Sequence, residues 1–315
     1  MKNCYNNVRS EHKATLVSIV ILAYEDYSSL EITIKSILNQ NYDNMEIIIS
    51  DDCSKQYSYH EIKSMIKQID FRMNNVIKIY RNEENMGVVA HANKVAQKCR
   101  GKYIKFLPPG DYLATSQSLS ILVDKIQNSK CKIVTSPSII YEKETGNALY
   151  QFPSNRRLNK LINKNPSKQF SIISKNNIIS AVGTIFDREF FENGGFDENY
   201  IYLDDWPTWL RYFRMGNIME FVTTPTVYYQ IGGISSNLGN AFKSKLLHND
   251  MIMCYEREIL PYINQFSAAT RWFINYYYSK LKSDKSINKI IFLPLVVFDL
   301  LKQIAKKTIV FYRRN

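Results

Sequence analysis

Short apolar runs alternate with amphipathic segments near the start of the chain. Residues 17–22 form an apolar run rich in β-branched side chains, and its length suits a strand buried on both faces. Apolar residues then recur at helical spacing, and Glu31 follows Ser28 by three positions, as in a capping box. A second apolar run, residues 45–49, ends at Asp51 and Asp52. A strand, a helix and a strand with short links predict a right-handed βαβ unit with parallel strands.

The alternation continues along the chain and predicts an α/β fold. Helices are expected at 61–69, 88–99, 119–126, 241–260 and 270–281, and strands at 76–80, 102–107, 132–135, 184–186, 218–222 and 226–230. A hairpin turn is expected at 144–147. Residues 153–168 are polar and basic without periodicity, which predicts a mobile surface loop. This order favours a mixed, mainly parallel sheet flanked by helices, followed by a helical extension.

Composition and cysteine usage narrow the class of protein. The chain has 315 residues, of which 45% are hydrophobic and 22% are charged, as in ordinary globular proteins. Five cysteines are scattered without metal-site spacing, which is typical of reduced thiols in a cytoplasmic protein. Residues 1–16 lack an apolar signal region, and no apolar run is long enough to span a bilayer. A cytoplasmic location is therefore expected.

The net charge of +12 is concentrated at the C-terminus. From Lys280 onward nine basic residues face two acidic ones, which gives +7. The tail lacks the interleaved aromatic residues of a single-strand binder, so nucleic acid is not favoured as a partner. Residues 286–312 combine apolar side chains with flanking Lys and Arg, which suits a helix lying peripherally on the inner face of the plasma membrane. A terminal helix packed on the domain is the alternative.

The ends of the first two strands carry polar and aromatic side chains. Ala23, Tyr24 and Glu25 follow the first strand, and Asp51 and Asp52 follow the second. Ligands of parallel α/β sheets bind outside the carboxyl ends of the strands. We therefore expect an acidic rim with an aromatic ring, although both aspartates could equally punctuate the strand end and cap a turn.

This stretch resembles family 2 glycosyltransferases with the GT-A fold. In that family the first strand ends near Tyr-Asn and the second in Asp-Asp-Gly-Ser; here Tyr24 matches, Glu25 replaces the Asn, and Cys53 replaces the Gly. The resemblance implies that Tyr24 lies against the nucleotide base and that Asp52 accepts a hydrogen bond from it. The implied donor-binding residues are Ala23, Tyr24, Glu25, Asp52, Asn85, Gly87, Asn93 and Asp111.

The metal motif of the family is degenerate in this chain. Most relatives end the next strand in Asp-x-Asp-Asp, whose carboxylates hold a divalent cation, whereas here the register gives Pro108-Pro109-Gly110-Asp111. Pro108 and Gly110 have no side chain that binds a metal, and only Asp111 remains as a candidate ligand. Three interpretations stay open: Mn²⁺ or Mg²⁺ held by Asp111 with waters and phosphates, catalysis by basic side chains without a metal, or an inactive descendant.

A second block, residues 183–211, carries the candidate base. It contains a Gly-Gly-Phe-Asp sequence and then Asp204 and Asp205 just before a predicted helix whose N-terminus favours an ionised carboxylate. Relatives carry Glu-Asp here, so the resemblance implies that Asp205 is the catalytic base, with Asp204 and Gly183 on the acceptor side. The alternative is that both aspartates only cap the helix.

The resemblance covers about residues 17–236 and implies a function. It implies a GT-A domain at 1–238, with a nucleotide-binding half at about 16–114 and an acceptor half at about 115–238, and a basic helical extension at 239–315. The implied reaction moves a sugar from a UDP-sugar to a saccharide or lipid-linked acceptor with inversion, in cell-surface polysaccharide biosynthesis. A non-catalytic binding module for sugar nucleotides or polysaccharides is the second hypothesis.

Overall fold

The structure is a computed structural model, and it describes residues 15–70, 76–231, 241–282, 292–295 and 297. The predicted βαβ unit comprises β1 (Val17–Ala23), α1 (Leu30–Leu38) and β2 (Met45–Asp51), and its two strands are parallel. The capping box predicted at Ser28 is wrong. The helix begins one residue later, with Ser29 at the N-cap and no side-chain cap, because the Ser28 hydroxyl donates to Asp26 instead.

A seven-stranded sheet forms the centre of the molecule. It adds β3 (Lys78–Arg81), β4 (Tyr103–Leu107), β6 (Ile133–Thr135), β9 (Thr184–Asp187) and β10 (Glu220–Phe221) to the first unit, in the order β10-β6-β9-β4-β1-β2-β3. Only β9 runs antiparallel to its neighbours in this sheet, so the prediction of a mixed, mainly parallel sheet is confirmed. Helices α2 (Tyr59–Ile69) and α3 (Gly87–Ala96) follow strands β2 and β3 in the chain, and α4 (Ser118–Gln127) precedes β6.

A second, four-stranded sheet flanks the carboxyl end of β4. Its strands are β5 (Tyr112–Leu113), β7 (Ser138–Tyr141), β8 (Ala148–Phe152) and β11 (Val227–Gln230), in the order β5-β11-β7-β8. Strands β7 and β8 form the hairpin whose turn was predicted at 144–147. This sheet places Gln230 beside Asp111, since the Gln230 N–H donates to the Asp111 carboxylate over 2.8 Å.

The segment predicted as a mobile loop is helical. Residues 153–168 contain α5 (Asn155–Leu158) and the start of α6 (Pro166–Ile173), and both Leu158 and Leu161 are buried in the core. Asn165 caps α6 through its side chain, which accepts from the Lys168 N–H. Because the two helices are short and interrupted, no helical period accumulates in the sequence, and the prediction failed for that reason.

The C-terminal helices share a core with the sheet domain. After α7 (Glu189–Glu192) and α8 (Asp205–Arg214), the chain forms α9 (Ala241–Cys254), a π-helical turn (Tyr255–Ile259), a 3₁₀ segment (Leu260–Gln265) and α10 (Ala268–Leu281). Five buried residues of this region pack in one cluster with Trp209 and Phe213 of α8: Cys254, Tyr255, Ile259, Phe266 and Ile274. In the described part of the chain no helix is long and apolar enough to cross a membrane. Most of the tail predicted to bind a membrane, residues 286–312, lies outside the described residues.

Candidate active site

The carboxyl ends of β1 and β2 meet at one rim, as the sequence predicted. The Asp52 N–H donates to the Ala23 carbonyl over 2.9 Å, and the Glu25 N–H donates to the Ser54 hydroxyl over 2.8 Å. Glu25 in turn accepts from the Lys55 N–H, so its carboxylate ties the two strand ends together. Glu25 and Cys53 both have positive φ, 58° and 63°, at the positions where the family carries Asn and Gly. Asn and Gly tolerate this backbone region better than other residues, so Glu25 and Cys53 keep the loop shape at a cost in conformational free energy.

Asp52 lies at the N-terminus of α3. Its carboxylate accepts from the Asn82 amide over 2.8 Å and from the N–H groups of Met86 and Gly87, both over 3.0 Å. These bonds satisfy free N–H groups of the helix end, where a negative charge is favourable. The carboxylate is 3% exposed, so a contact to a base would use a remaining lone pair of Oδ1 or Oδ2.

Asp51 belongs to a network that sequence analysis did not identify. The carboxylate accepts from the hydroxyls of Tyr27 and Ser54 and lies 3.4 Å from Nε of Arg81. The Arg81 guanidinium lies over the Tyr57 ring, 4.7 Å from its centroid. Burial, and then the bond to Asp51, raise the pKa of Tyr27. An aromatic and charged network therefore lies at the carboxyl end of β2, assembled from residues that no local motif joins.

The residues predicted on α3 have structural contacts. The Asn85 side chain accepts from the Gly87 N–H over 3.2 Å, and Gly87 has a φ of 79° and packs so closely on Ile201 that a Cβ would meet it. Asn93 points away along the helix. Its amide donates to Phe196 and Glu198 and accepts from the Phe196 N–H, which fixes the Gly-Gly-Phe loop. Asn85 and Gly87 thus lie at the rim, whereas the amide of Asn93 is occupied by that loop.

Asp111 is buried beneath the end of β4. Its Oδ1 accepts from Gln230, while Oδ2 has no hydrogen-bond partner among the described residues. The buried amine of Lys105 donates to the carbonyls of Phe106 and Val182. Burial lowers the pKa of Lys105 to about 7 and raises the pKa of Asp111 to about 8, and the charge of each group partly opposes the shift of the other.

The residues at this strand end offer a divalent cation one candidate side-chain ligand, the carboxylate of Asp111. Pro108 and Gly110 offer no side-chain oxygen, and Asp111 offers one free carboxylate oxygen with an amine in the same buried region. Mg²⁺ takes six oxygen ligands, of which a protein often supplies only one or two carboxylates, while water and substrate phosphates supply the others. Among the described residues no group of three His, Cys, Asp or Glu side chains could hold a metal. We derive no catalytic step through a metal.

Asp204 and Asp205 lie side by side at the start of α8. Asp205 is the first helical residue rather than the residue before the helix, and Asp204 occupies the N-cap. Asp205 accepts from the Asn177 amide over 2.6 Å and from the Trp206 N–H over 2.6 Å, which fixes the orientation of its carboxylate. A carboxylate with two such bonds retains lone pairs for a proton.

Burial sets the acidity of this pair. Burial, and then the neighbouring charge of Asp205, together raise the pKa of Asp204 to about 7. Burial also raises the pKa of Asp205, but the hydrogen bonds from Asn177 and the Trp206 N–H oppose that increase. Asp204 and Asp205 are both half-buried, so their side chains lie within the protein but remain open to solvent. Perturbed carboxyl groups in this setting are candidates for acid–base catalysis.

Asp250 joins the carboxylate pair to the rim at the ends of β1 and β2, and sequence analysis missed it. One oxygen of its buried carboxylate accepts from the N–H groups of Ile201, Tyr202 and Leu203, over 2.7 to 3.1 Å. Tyr202 lies near the rim: its pKa is raised by burial first, and then by Tyr24, Asp52 and Asp250. The loop before Asp204 is therefore held against the nucleotide-side residues by α9. No local pattern around Asp250 indicates this role.

Gly183 has a packing reason for lacking a side chain. Its carbonyl accepts from the Ser136 N–H over 3.0 Å, and a Cβ would collide with the Ser136 backbone. Gly183 lies directly before β9, at the carboxyl ends of β4 and β6, the two strands that flank β9 in the sheet. Asn177 reaches Asp205 on the same side. The described contacts of Gly183 are thus structural.

Comparisons with known proteins agree with this geometry. The family described as Glycosyl transferase family 2 matches residues 18–195. The chain is 28% identical over 230 residues to the Escherichia coli UDP-Glc:alpha-D-GlcNAc-diphosphoundecaprenol beta-1,3-glucosyltransferase WfaP, covering 70% of this chain and 80% of that enzyme. It is 24% identical over 298 residues to a Campylobacter jejuni GalNAc(5)-diNAcBac-PP-undecaprenol beta-1,3-glucosyltransferase, covering 89% and 88%.

Solved structures share the fold at lower identity. Staphylococcus aureus TarS 1-349 in complex with UDP superposes with a TM-score of 0.53 at 12% identity, covering 85% of this chain and 83% of that one. GalNAc-T7 with UDP, GalNAc and Mn²⁺ gives 0.57 at 20% identity, covering 78% and 48%. These likenesses establish the GT-A architecture. Because the family match spans more than half of the chain, the protein belongs to glycosyl transferase family 2 and is a glycosyltransferase.

Proposed function

We propose that the protein transfers a sugar from a UDP-sugar to a hydroxyl of a saccharide or lipid-linked saccharide, with inversion, in cell-surface polysaccharide biosynthesis. The observation that carries the proposal is the Asp204–Asp205 pair, held toward the donor rim by the Asp250 loop and oriented by Asn177. Two relatives named above act on diphosphate-linked undecaprenol saccharides, and TarS binds UDP, which supports the choice of substrates.

The nucleotide-side residues would hold the donor. We assign Tyr24 to stacking on the base and Asp52 to a hydrogen bond with it, while Ala23, Glu25, Asn85 and Gly87 shape the loops around it. Asn93 acts from the periphery because its amide donates to Phe196 and Glu198. Asp111 keeps one carboxylate oxygen, Oδ2, for the donor, since Gln230 occupies only Oδ1. The division into a nucleotide-binding half at about 16–114 and an acceptor half at about 115–238 belongs to the same proposal.

Inversion requires a single displacement. Asp205 takes the proton of the acceptor hydroxyl, the oxygen forms a bond to the anomeric carbon, and the bond between that carbon and the diphosphate oxygen breaks. The electron pair of the broken bond leaves with UDP on the opposite face. One positioned carboxylate is sufficient for this step, and its hydrogen bonds from Asn177 and Trp206 keep the reactive oxygen in place.

The direct test is release of UDP from UDP-sugars. Nucleotide sugars are first screened by thermal shift, since a ligand that binds only the folded protein raises its melting temperature. The binders are then assayed for UDP release with saccharide and lipid-linked acceptors, with Asp205→Asn as the inactive control. If wild type and variant both bind a UDP-sugar and neither releases UDP, the result would favour a non-catalytic binding module. That alternative is suggested by the missing metal ligands at Pro108 and Gly110.

We further propose that the protein works at the cytoplasmic face of the membrane, through its basic C-terminal tail. The tail from Lys280 onward has a net charge of +7 and interspersed apolar residues. A chain that ends before Lys285 is expected to lose binding to vesicles containing phosphatidylglycerol while it keeps UDP binding. Equal vesicle binding by the full and shortened chains would contradict the assignment.

A further inference from the structure

The segment between β8 and β9 is strongly basic. From Thr145 to Phe186 the chain contains no Asp or Glu and six basic residues: Arg156, Arg157, Lys160, Lys164, Lys168 and Lys175. All except Lys175 are exposed. Within the described part of the chain, none of the six forms an ion pair or a side-chain hydrogen bond. Such a surface carries uncompensated positive charge and attracts anions.

Three of these lysines lie on neighbouring segments. The Gln169 side chain, next to Lys168, donates to the Leu161 carbonyl, next to Lys160, over 3.1 Å. Lys160 precedes α6, Lys168 lies in its first turn, and Lys175 follows its last residue. Lys160 and Lys168 are close enough to Lys175 that, after burial, their charges lower the pKa of its amine. Like charges gathered without an intervening carboxylate are unfavourable in the free protein. We call Lys160, Lys168 and Lys175 the lysine patch.

Lys175, one member of the lysine patch, lies in the chain between two residues that contact the start of α8. On one side of Lys175, the Ile173 carbonyl accepts from the Trp206 indole over 2.9 Å; on the other, the Asn177 amide donates to Asp205 over 2.6 Å. The half-buried Lys175 is therefore anchored on both sides to the first two residues of α8. An anion on the patch would sit next to the place where Asp205 receives the acceptor hydroxyl.

We propose that the lysine patch binds a diphosphate group carried by the acceptor, close to the reacting hydroxyl. The inference rests on the lipid-linked acceptor of the proposed function and assigns residues to its charged link. Lysine ammonium groups act as compact point charges that suit phosphate oxygens, and three of them match the two negative charges of a diphosphate diester. The patch belongs to the acceptor half, whereas the donor residues gather at the ends of β1 and β2.

The test uses the full chain with UDP saturating the donor site, so that a second diphosphate cannot enter there. Geranyl diphosphate, inorganic pyrophosphate and glucuronate are titrated against wild type and the variant Lys160→Gln, Lys168→Gln, Lys175→Gln. The variant is expected to bind geranyl diphosphate and pyrophosphate about tenfold or more weakly, because three charged contacts are lost. Glucuronate should bind weakly to both proteins.

The matched control replaces three exposed lysines elsewhere, Lys67→Gln, Lys98→Gln and Lys130→Gln, and lowers the net charge from +12 by the same three units. It is expected to stay within about twofold of wild type, since exposed charges distant from a ligand contribute little. An equal loss in both triple variants would assign the effect to total charge and overturn the proposal. Absence of diphosphate binding by wild type would overturn it as well.

Two further outcomes separate the alternatives. Weaker UDP binding by the patch variant would assign the lysines to the donor, and a loss confined to phosphatidylglycerol vesicles would assign them to a membrane surface; each overturns the proposal. Failure of UDP to bind wild type would instead count against the proposed function. If the triple variant does not fold, Lys160→Gln with Lys168→Gln changes only exposed side chains and is expected to show the same direction of effect.

Discussion

Asp205 differs from Asp204 in the contacts that orient it. Asn177 and the Trp206 N–H hold both oxygens of Asp205, whereas the structure gives Asp204 only backbone N–H groups as sources of stabilisation. A fixed oxygen next to the acceptor half suits proton removal, because misplacement of a base by about 1 Å can cost about 10²-fold in rate. These contacts therefore support Asp205 as the base, with Asp204 as a neighbouring carboxylate that influences its charge.

The variant Asp205→Asn tests this assignment. The amide is nearly isosteric and still accepts from the Trp206 N–H, but it cannot take a proton at neutral pH. Turnover is expected to fall by about 10²-fold or more while donor affinity and melting temperature change little, as measured by UDP release, titration and thermal unfolding. Asp204→Asn should cost less. Turnover of Asp205→Asn close to that of wild type, with an accepted substrate, would rule out this base.

The acidity of the pair predicts the pH profile. A base works only when it is deprotonated, and burial raises both carboxyl pKa values, that of Asp204 to about 7. Turnover is therefore expected to rise with pH along a limb above the usual pKa of Asp, and the limb belongs to the pair. The measurement is the logarithm of kcat against pH between 5 and 9.

Two variants should move this limb in opposite directions. Asn177→Ala removes a hydrogen bond that lowers the pKa of Asp205, so the limb should move to higher pH. Asp204→Asn removes a neighbouring charge and should lower it. Asn176→Ala, at the exposed adjacent position, serves as the control and should leave it in place. A limb unmoved by Asn177→Ala would show that Asn177 does not act on the base.

At the scale of elements, the residues at the end of β4 bear on whether turnover depends on a divalent cation. Pro108 and Gly110 replace carboxylates, and Asp111 is turned inward toward Gln230 and the buried amine of Lys105. We expect excess chelator to lower turnover by less than about tenfold, whereas loss of a metal that stabilises transition-state charge costs several kcal/mol. Turnover is compared with Mn²⁺, Mg²⁺ and chelator, for wild type and Asp111→Ala. Abolition by chelator and recovery with Mn²⁺ in both proteins would place a metal at other residues.

Helix α9 acts on the site through a single carboxylate. Because one oxygen of Asp250 accepts three N–H groups, Asp250→Asn places an amide nitrogen in competition for them and loses the charge that strengthens the bonds. Stability is expected to fall by about 1–3 kcal/mol, and kcat should fall with it because the loop before Asp204 loosens. Glu256→Gln, at an exposed ion pair with Lys282, is the control and should cost below about 1 kcal/mol. Unchanged stability and kcat in Asp250→Asn would remove α9 from the site.

At the scale of the whole molecule, the helices after residue 240 complete the core. Five buried residues, Cys254, Tyr255, Ile259, Phe266 and Ile274, pack with α8. Each large apolar side chain contributes about 1.5–3 kcal/mol on burial, so their sum approaches the total stability of a domain, about 5–15 kcal/mol.

Truncation tests this contribution. A chain that ends at residue 240 is expected to lose cooperative unfolding and UDP binding, whereas one that ends before Lys285 should keep both, as measured by circular dichroism and titration. A cooperative transition and normal UDP affinity in the shorter chain would show that residues 16–238 fold without the helices.

The sequence by itself determined the βαβ unit, the mixed sheet and the two blocks that meet at the site. Buried parallel strands need continuous apolar runs, and Tyr24 and Asp52 directly follow the carboxyl ends of two such strands. Those patterns are local, so a reading of the sequence recovers them. Only the tertiary structure decided which partners hold each group: Asn177 reaches Asp205 across 28 positions, Asp250 reaches Ile201 across 49, and Asp111 meets Gln230 across 119. Such contacts have no periodicity or spacing in the sequence, because packing of distant elements creates them.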